Sequence, residues 1–576
     1  MLLDIQNLSI EISQNKSKQL LCKNLNFFIN SGETIGILGE SGSGKSITAL
    51  SLLQLLPPSI QISQGKINYL QTDNSVLDLA AVNKKILQNI RGREISMVFQ
   101  EPMTSLNPSF TCGDQVLETI LQHQKISAKE AMEKVLDLFA KVKLPSPSKV
   151  FTSFPHQLSG GQKQRVMIAI AIACNPRLLI ADEPTTALDV TVQKSILELL
   201  KEIQAEMGMS ILFITHDISV IAEIAKRLLV FYKGEIVEQG SVKDILEHAQ
   251  HPYTKGLLEC RTSVYTKGQR LRTLEEEAPP PDRGEPKSSF INDTKLSCLL
   301  EVSNFPLSGR LEEASSILQI QNLNVSFYQS GGFFEHRKEK QVLQNVSFEV
   351  IKGETLGLVG ESGSGKTTIG RTIMKLIESK SGTIEFQGAK LNDMSSNELK
   401  RFRKEVQIIF QDPYSSLNPK ISIGEIISEP LTVHNLYKNV KERKKRVMGL
   451  LRQVGLNEEH YNRYPHQFSG GQRQRIGIAR VLAVEPKLII LDESVSALDV
   501  SIQAQILNLL NDLKKQYNLT YIFISHDLNT VRYMADRMIV LQSGQIVEKG
   551  LAEEIFASPQ TNYTKNLIAA IPGSKA

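Results

Sequence analysis

The chain has 576 residues, which is too long for one hydrophobic core and suggests about three or four domains. Hydrophobic residues make up 41% and charged residues 22% of the sequence, which is an ordinary globular composition. The formal net charge of +5 is too small to argue for nucleic acid or a membrane surface as a partner. The five cysteines are dispersed and include no CxxC pair, which indicates reduced thiols rather than a disulfide framework or a zinc site.

Two stretches of the sequence, the N-terminus and the most apolar run, bear on where the protein works. The N-terminus has no basic segment and carries Asp4, so we expect no signal peptide. The most apolar run, residues 166–174, is well short of the roughly 20 residues that span a bilayer. We therefore expect other chains to supply any membrane part of the machinery.

The first stretch with recognisable chemistry is residues 39–46, which follow the phosphate-loop pattern GxxxxGK[ST]. An apolar run at 34–38 predicts a buried strand before it, and residues 47–53 predict a helix after it. Glycines let backbone N–H groups turn toward a phosphate, and the helix N-terminus adds partial positive charge. Lys45 is expected to reach the β- and γ-phosphates, and Ser46 to hold Mg²⁺.

Four further motifs follow in the first half of the chain. Gln100 lies in residues 99–108, and Leu-Ser-Gly-Gly-Gln at 158–162 opens a predicted helix. Asp182 and Glu183 end an apolar strand, and His216 follows the next one. Taken alone, paired acids at a strand end more often cap the next helix, and the serine of 158–162 is a helix N-cap as well. The phosphate loop upstream favours the functional interpretation of the acids.

The second half repeats these motifs in the same order. Ser469 lies 310 residues after Ser159, and Lys366 lies 321 residues after Lys45, because the first copy carries about ten extra residues. The pairs of segments are 39–46 with 360–367, 99–108 with 410–419, 158–162 with 468–472, 179–183 with 489–493, 187–189 with 497–499, and 215–217 with 525–527. The second loop removes the alternative of a chance Gly/Ser turn.

Composition divides the chain into residues 1–260, a linker at 261–315, and residues 316–576. The linker contains three successive prolines and mixed charges, and predicts little core of its own. Within each half, apolar β-branched runs alternate with helical patterns, which predicts an α/β core with a largely parallel sheet. Residues 114–142 and 421–454 lack strand runs and predict a helical subdomain in each half.

These paired motifs resemble the ATP-binding cassette (ABC) ATPases, over nearly the whole chain outside the linker. The resemblance implies two P-loop NTPase cassettes in tandem, each with an α/β core, an antiparallel β part and a helical subdomain. It implies an ATPase with ATP and Mg²⁺ as cofactors. Both halves keep every motif, so we expect both to hydrolyse ATP.

The resemblance also implies the role of each residue. Glu183 and Glu493 match the catalytic base, His216 and His526 the histidine that contacts the γ-phosphate, and Gln100 and Gln411 the glutamine at Mg²⁺ and the lytic water. The metal-holding residues are Ser46, Gln100, Asp182, Thr367, Gln411 and Asp492. The nucleotide-binding residues are Gly39, Glu40, Ser41, Gly42, Ser43, Gly44, Lys45, Ser46, Gly360, Glu361, Ser362, Gly363, Ser364, Gly365, Lys366, Thr367 and Thr368, with the signature segments Ser159, Gly160, Gly161, Gln162, Ser469, Gly470, Gly471 and Gln472, and Phe327 at the adenine.

In this family the signature segment of one cassette closes on the γ-phosphate held by the other. Two sites would then form inside one chain: the Lys45 site with residues 469–472, and the Lys366 site with residues 159–162. A flexible linker of about 50 residues spans roughly 40 Å, which permits this pairing. Fusion also raises the effective concentration of one half at the other. The adenine contact differs, since Ile12 aligns with Phe327.

Three pairs of phrases resemble the oligopeptide, dipeptide and nickel importers within the family. They are Ser-Leu-Asn-Pro at 105–108 and 416–419, Pro-His-Gln at 155–157 and 465–467, and the extension phrases at 251–255 and 562–565. Tyr253 and Tyr563 in the last pair are also explained by simple helix packing. The resemblance implies an energy-coupling subunit on the cytoplasmic face of the inner membrane. Its implied partners are two integral-membrane permease subunits and an extracytoplasmic solute-binding protein, and no nucleic acid. The resemblance implies a peptide as the solute, with glutathione, nickel or another small solute as alternatives.

The competing interpretation is a soluble tandem-cassette translation factor acting on ribosomes. Such proteins use a long charged helical linker, whereas this linker is interrupted by prolines. The basic run at 438–446 lies in a predicted helical subdomain and is more typical of a solvated helix face. A DNA-repair ATPase of this family would need zinc-binding cysteines or a long coiled coil.

Overall fold

The computed structural model describes residues 1–14, 17–100, 105–186, 188–262, 265–274, 315–329, 338–412, 414–496 and 498–571. Residues 101–104, 187, 413 and 497 of the repeated motifs, and most of the expected linker, lie outside these ranges. No helix within the described ranges has both the length and the apolar character needed to cross a bilayer.

The first half contains two sheets. Its strands are β1 (Leu3–Gln14), β2 (Ser17–Ile29), β3 (Thr34–Leu38), β4 (Ile60–Leu70), β5 (Val76–Asp78), β6 (Ile95–Val98), β7 (Leu178–Asp182), β8 (Ser210–Thr215), β9 (Arg227–Tyr232) and β10 (Glu235–Ser241). Within the described residues, the small antiparallel sheet has the order β2–β1–β4–β5, and the core sheet has the order β10–β9–β3–β8–β7–β6. All core pairs are parallel except β9 with β10.

The helices of the first half cover the core sheet and form a separate layer. They are α1 (Lys45–Leu52), α2 (Lys84–Ile90), α3 (Cys112–His123), α4 (Ala128–Lys141), α5 (Pro147–Thr152), α6 (Gly160–Ile172), α7 (Val190–Met207), α8 (Ile218–Ile224), α9 (Val242–His248) and α10 (Pro252–Glu259). Strands β3, β7 and β8 are buried along their whole length, as expected for parallel strands that are covered on both faces.

The second half repeats this arrangement. Its strands are β11 (Ser316–Gln329), β12 (Lys338–Ile351), β13 (Thr355–Val359), β14 (Ser381–Phe386), β15 (Ala389–Lys390), β16 (Val406–Ile409), β17 (Leu488–Asp492), β18 (Thr520–Ile524), β19 (Arg537–Gln542) and β20 (Gln545–Leu551). Among the described residues the sheet orders are β12–β11–β14–β15 and β16–β17–β18–β13–β19–β20. The expected α/β core with an added antiparallel part is therefore confirmed in both halves.

The helices of the second half follow the same plan. They are α11 (Lys366–Ile373), α12 (Ser396–Glu405), α13 (Ile423–Val433), α14 (Val440–Gln453), α15 (Gly470–Leu482), α16 (Val500–Tyr517), α17 (Leu528–Met534), α18 (Ala552–Ala557) and α19 (Asn562–Ala569). The stretches 114–142 and 421–454 are helical and contain no strand, as the sequence predicts. Their helices begin at capping serine, threonine or asparagine residues, such as Ser127 with its reciprocal partner Glu130.

The start of the expected linker is packed on the second half, where little core was expected. We call residues 265–274 the strap. Leu271 is fully buried in the hydrophobic core of the second half. The side-chain amide of Asn508 on α16 bonds both backbone groups of Leu271, donating to its O (2.8 Å) and accepting from its N–H (3.0 Å). Lys267 pairs with Asp536, so the strap is held by apolar burial, hydrogen bonds and charge together.

Candidate active site

The two phosphate-loop segments leave the core sheet at the carboxyl ends of β3 and β13. Gly44 and Gly365 stand immediately before α1 and α11 with φ of 102° and 105°. A Cβ on Gly44 would lie 2.8 Å from Cys22 Sγ, so both the backbone conformation and the space require glycine there. The loop can therefore turn tightly into the helix N-terminus, where free backbone N–H groups favour an anion.

Each loop lysine is held across its own loop. Lys45 Nζ donates to the carbonyl oxygens of Gly39 (2.7 Å) and Glu40 (2.8 Å). Lys366 Nζ makes the same two bonds at 2.7 and 2.9 Å. Burial lowers the pKa of Lys45, an effect that the nearby carboxylates, first that of Glu183, oppose. The ammonium group is thus positioned over the loop by the carbonyl oxygens of the loop itself.

The loop hydroxyls meet the acids that end β7 and β17. Ser46 Oγ donates to Asp182 Oδ1 at 3.1 Å, and Thr367 Oγ1 donates to Asp492 Oδ1 at 2.9 Å. Burial raises the pKa of Asp182 to about 6. Asp492 is fully buried, and its Oδ2 has no hydrogen-bond partner. Hard oxygen donors with an unpaired buried carboxylate oxygen are the set that Mg²⁺ prefers, so these residues fit the ion.

The second acid of each pair joins the expected glutamine and histidine. Gln100 Nε2 donates to Glu183 Oε2 at 3.0 Å, and His216 Nδ1 lies 3.4 Å from the same oxygen. Burial disfavours the charge on Glu183, but His216 outweighs it and holds the pKa of this carboxyl at about 2. Glu183 is therefore ionised at neutral pH, as a general base must be.

The second half has the same three-residue cluster. Gln411 Nε2 donates to Glu493 Oε2 at 2.7 Å, and His526 Nδ1 lies 3.3 Å from that oxygen. Burial again opposes the charge, and His526 again lowers the pKa of Glu493. The structure thus brings together all six residues that the sequence predicts as catalytic, in two separate sets.

The halves face each other loop to loop, through residues whose role the sequence did not predict. Asp499 Oδ1 accepts hydrogen bonds from the backbone N–H and the hydroxyl of Ser41, both at 3.1 Å. In the other site, Asp189 Oδ2 accepts from the N–H of Ser362 at 3.1 Å. The repeated Ala-Leu-Asp was visible in the sequence, but only the packing of the halves shows what the aspartates contact.

Beside each of these aspartates, one further hydrogen bond joins the two halves. Thr191 Oγ1 donates to Glu361 Oε1 at 2.9 Å, and Ser501 Oγ bonds Glu40 Oε1. The expected intramolecular pairing of the two halves is therefore present. The signature serines cap α6 and α15 and remain exposed, so the helix-cap interpretation is confirmed, and their closure on the opposite loops stays a prediction.

The expected adenine contact differs between the sites. Phe327 is 42% exposed and lines the same pocket as Gly363, Lys366 and Thr368. Its place opposite Lys340 in the β11–β12 pair matches that of Ile12 in the β1–β2 pair, opposite Gln19. Aromatic stacking is thus available beside one loop, and an aliphatic side chain occupies the corresponding strand position beside the other.

Comparison with known proteins agrees with this geometry. A family model described as ABC transporter matches residues 22–186 and 343–496, and the model described as oligopeptide/dipeptide transporter, C-terminal region, matches residues 237–292. The glutathione import ATP-binding protein GsiA of Pectobacterium atrosepticum is 44% identical over 571 residues, which cover 99% of this chain and 89% of that protein. GsiA of Escherichia coli strain K12 is 45% identical over 572 residues, with the same coverage.

These relatives span both halves of the chain and its extension. They are import ATP-binding proteins by name, and they do not support the alternative of a translation factor. The fold, the two sets of loop, acid, glutamine and histidine, and the matched C-terminal region agree on one family. The chain belongs to the ABC transporter family, as an importer-type ATPase subunit that carries two ATP-binding cassettes and the oligopeptide/dipeptide C-terminal region.

Proposed function

We propose that this chain hydrolyses ATP with Mg²⁺ to drive uptake of a peptide-like solute, with glutathione as the first candidate. It acts through two separate permease subunits at the cytoplasmic face of the inner membrane, supplied by a solute-binding protein outside. The observation that carries the ATPase part is the presence of two complete catalytic sets, each facing an aspartate of the opposite cassette. The solute rests on the names of the GsiA relatives.

The residues of each site divide the work between binding and proton transfer. ATP supplies the phosphoanhydride bond, and Mg²⁺ neutralises charge on its phosphates. Lys45 and the N–H groups of the loop bind phosphate oxygens, while Ser46 and Asp182 offer the metal a hydroxyl and a carboxylate. Glu183, ionised and hydrogen-bonded to Gln100, orients a water and accepts its proton. The signature segments 159–162 and 469–472 complete the opposite sites on closure.

A groove beside Gln100 supports a link between this chemistry and a membrane partner. Phe99 follows β6, is 41% exposed, and lines an apolar groove between the core sheet and the helical subdomain, together with Leu55 and His123. Because the next residue, Gln100, bonds Glu183, a partner element seated in this groove would sense whether the catalytic cluster is assembled. We propose that a permease subunit docks there.

The proposal is tested by purification and uptake together. The chain, purified in mild detergent at native expression level, should bring two polytopic membrane proteins in stoichiometric amounts. Deleting it should abolish uptake of labelled glutathione or short peptides, and the wild-type chain should restore it where the Glu183→Gln, Glu493→Gln double variant does not. Absence of any membrane protein in the purification would overturn the importer role. Loss of nickel uptake alone would overturn the peptide-like solute.

A further inference from the structure

Each phosphate loop is hydrogen-bonded by a tyrosine near the C-terminal end of its own cassette. The tyrosines lie on α10 in the first cassette and on α19 in the second, and we call these two helices the extensions. Tyr253 stands at the second position of α10, and its Oη accepts a hydrogen bond from the backbone N–H of Glu40 at 3.1 Å. Tyr563 stands at the second position of α19, and its Oη accepts from the N–H of Glu361 at 3.1 Å. The same contact occurs twice, although the flanking sequences differ.

The extension is built to place this ring. The carboxylate of Glu238 on β10 accepts the N–H groups of Gln250 (2.7 Å) and His251 (3.2 Å), and His251 Nδ1 accepts the N–H of Tyr253 at 3.2 Å. The Tyr253 ring stacks on Tyr232, with ring centroids 4.2 Å apart. The start of α10 is therefore tied to the edge of the core sheet, and the phenol has little freedom to leave the loop.

The second cassette reaches the same result with other side chains. The carboxylate of Glu548 on β20 accepts the N–H groups of Gln560 (2.8 Å) and Thr561 (3.2 Å). Thr561 replaces the histidine as helix cap and accepts the N–H of Thr564 at 3.1 Å. The same tyrosine contact is therefore made beside two different helix caps. This indicates that the segment serves to contact the loop, and that the identity of the cap is secondary.

The next backbone N–H of each loop donates a hydrogen bond to an aspartate of the opposite cassette. In the first loop, the N–H of Glu40 bonds Tyr253, and the N–H of Ser41 bonds Asp499 of the second cassette. Two successive backbone donors therefore have acceptors outside the loop. Burial raises the pKa of Tyr253, and the charge of Glu40 raises it further, so the phenol stays neutral and its oxygen remains an acceptor.

We propose that Tyr253 and Tyr563 are positioning residues of the two ATP sites, which hold the entry to each phosphate loop in its binding conformation before nucleotide arrives. This assignment rests on the proposed function in one respect, namely that the loops bind ATP. Fixing the Glu40 and Glu361 amides leaves the later N–H groups of each loop aimed into the anion site. It also presents Ser41 and Ser362 to the opposite aspartates, so the extension supports both binding and closure.

Tyrosine-to-phenylalanine variants test the assignment, because phenylalanine keeps the ring packing and removes only the acceptor. Tyr253→Phe, Tyr563→Phe and the double variant should show faster amide hydrogen exchange in residues 39–46 or 360–367 of the nucleotide-free chain, each in its own cassette. The KM for ATP should rise by about threefold to tenfold, the worth of one net hydrogen bond. The kcat should stay within about twofold, because the lost interaction acts on binding.

Tyr533→Phe is the matched control. It removes a hydroxyl that donates to Gln269 O at 2.7 Å, on the strap and away from both loops. It should leave loop exchange and KM unchanged. Wild-type loop exchange in the double variant, or equal changes in Tyr533→Phe, would overturn the assignment. Because exchange is measured without nucleotide, this result is independent of whether the solute and the hydrolysis roles proposed above are correct.

Discussion

The two glutamates that we propose as catalytic bases stand in backbone conformations that most residues avoid. Glu183 and Glu493 have φ of 49° and 47°, in the left-handed region, which costs a non-glycine residue about 1–3 kcal/mol. The N–H of Glu183 donates to Ile214 O and that of Glu493 to Ile524 O, both at 2.9 Å, so each backbone is fixed to the neighbouring strand. This conformation lets the first acid face the loop hydroxyl while the second faces the glutamine and histidine.

Replacing the ionised carboxylate by an amide should remove the base and keep the shape of the site. We expect the Glu183→Gln, Glu493→Gln double variant to hydrolyse ATP about 100-fold more slowly or worse, the usual worth of a general base. ATP should still bind, because the loops and lysines are unchanged. Steady-state hydrolysis and equilibrium ATP binding by the purified chain measure the two effects separately.

The surface substitution Glu206→Gln serves as the control, since the Glu206 side chain is 66% exposed and pairs with the surface residue Lys141. It should leave hydrolysis unchanged. Near wild-type hydrolysis in the double variant would remove both glutamates from the role of base. If the double variant is impaired as expected, the two single variants show how much of the turnover each cassette carries.

At the scale of elements, the strap connects the extension of the first cassette to α16 and α17 of the second. Its more buried charged contact with the second cassette is Lys267 with Asp536, whose carboxylate also accepts the N–H of Thr355 (2.7 Å) and pairs with Lys514 (3.3 Å). The first cassette differs at both of these contact positions, because Lys226 stands where the repeat places Asp536, and Glu198 where it places Asn508. Within the part of the chain that the structure describes, these two contact residues of the strap are therefore not repeated in the first cassette.

The Asp536→Asn variant should loosen this seat in a pH-dependent way. Burial alone would raise the pKa of Asp536, but Lys514 and Lys267 outweigh burial and lower it. A lowered pKa stabilises the folded chain above the ordinary value near 4, and this stability is lost as pH falls through the folded-state pKa. We expect Asp536→Asn to cost about 1–3 kcal/mol at pH 7 and progressively less below about pH 4.

Thermal unfolding of the full chain across pH measures this difference. Asp512→Asn is the matched control, because its pair with Arg270 lies on the same strap but is more than half exposed on both sides. An exposed pair contributes about 0–1 kcal/mol, so the control should change the unfolding temperature little. An equal loss in both variants, or a loss from Asp536→Asn that does not shrink in acid, would contradict the assigned charge contact.

For the whole molecule, the question is what keeps two cassettes paired when nucleotide is absent. The covalent connection raises the effective concentration of each half at the other. The strap adds a non-covalent attachment, because it belongs to the N-terminal piece and packs on the second cassette. A cut after the strap would break the covalent connection and leave this attachment in place. A protease site inserted within 275–314 separates these contributions. We expect the cut chain to remain associated at micromolar concentration and to keep its ATPase activity.

Adding Asn508→Ala to the cut chain should weaken that association. The substitution leaves both backbone groups of the buried Leu271 without their partner, so the pieces should separate on dilution and ATPase activity per chain should fall with protein concentration. Glu198→Ala, at the equivalent position of the first cassette, is the control. If the cut Asn508→Ala chain elutes as one species and its activity is independent of concentration, the strap does not hold the pair.

Much of each half-site was predictable because its parts are local or lie at one sheet edge. Lys45 and Ser46 follow β3 after the short loop 39–44, and Asp182, Glu183 and His216 stand at or just after the ends of parallel strands of the same sheet. Since the carboxyl ends of parallel strands meet at one edge, the order of motifs was enough to bring these side chains together. The repeat then predicted a second set of the same residues, and the structure brings their side chains together.

The sequence by itself therefore determined the two cassettes, their family and the residues that gather within each one. The tertiary structure alone decided what crosses between distant segments: Asp499 on Ser41, Tyr253 on the loop entry, and the strap on Asn508. Neither residue spacing nor hydrophobic periodicity encodes these contacts. They depend on how the surfaces of folded elements pack against one another, and on which polar groups then face each other.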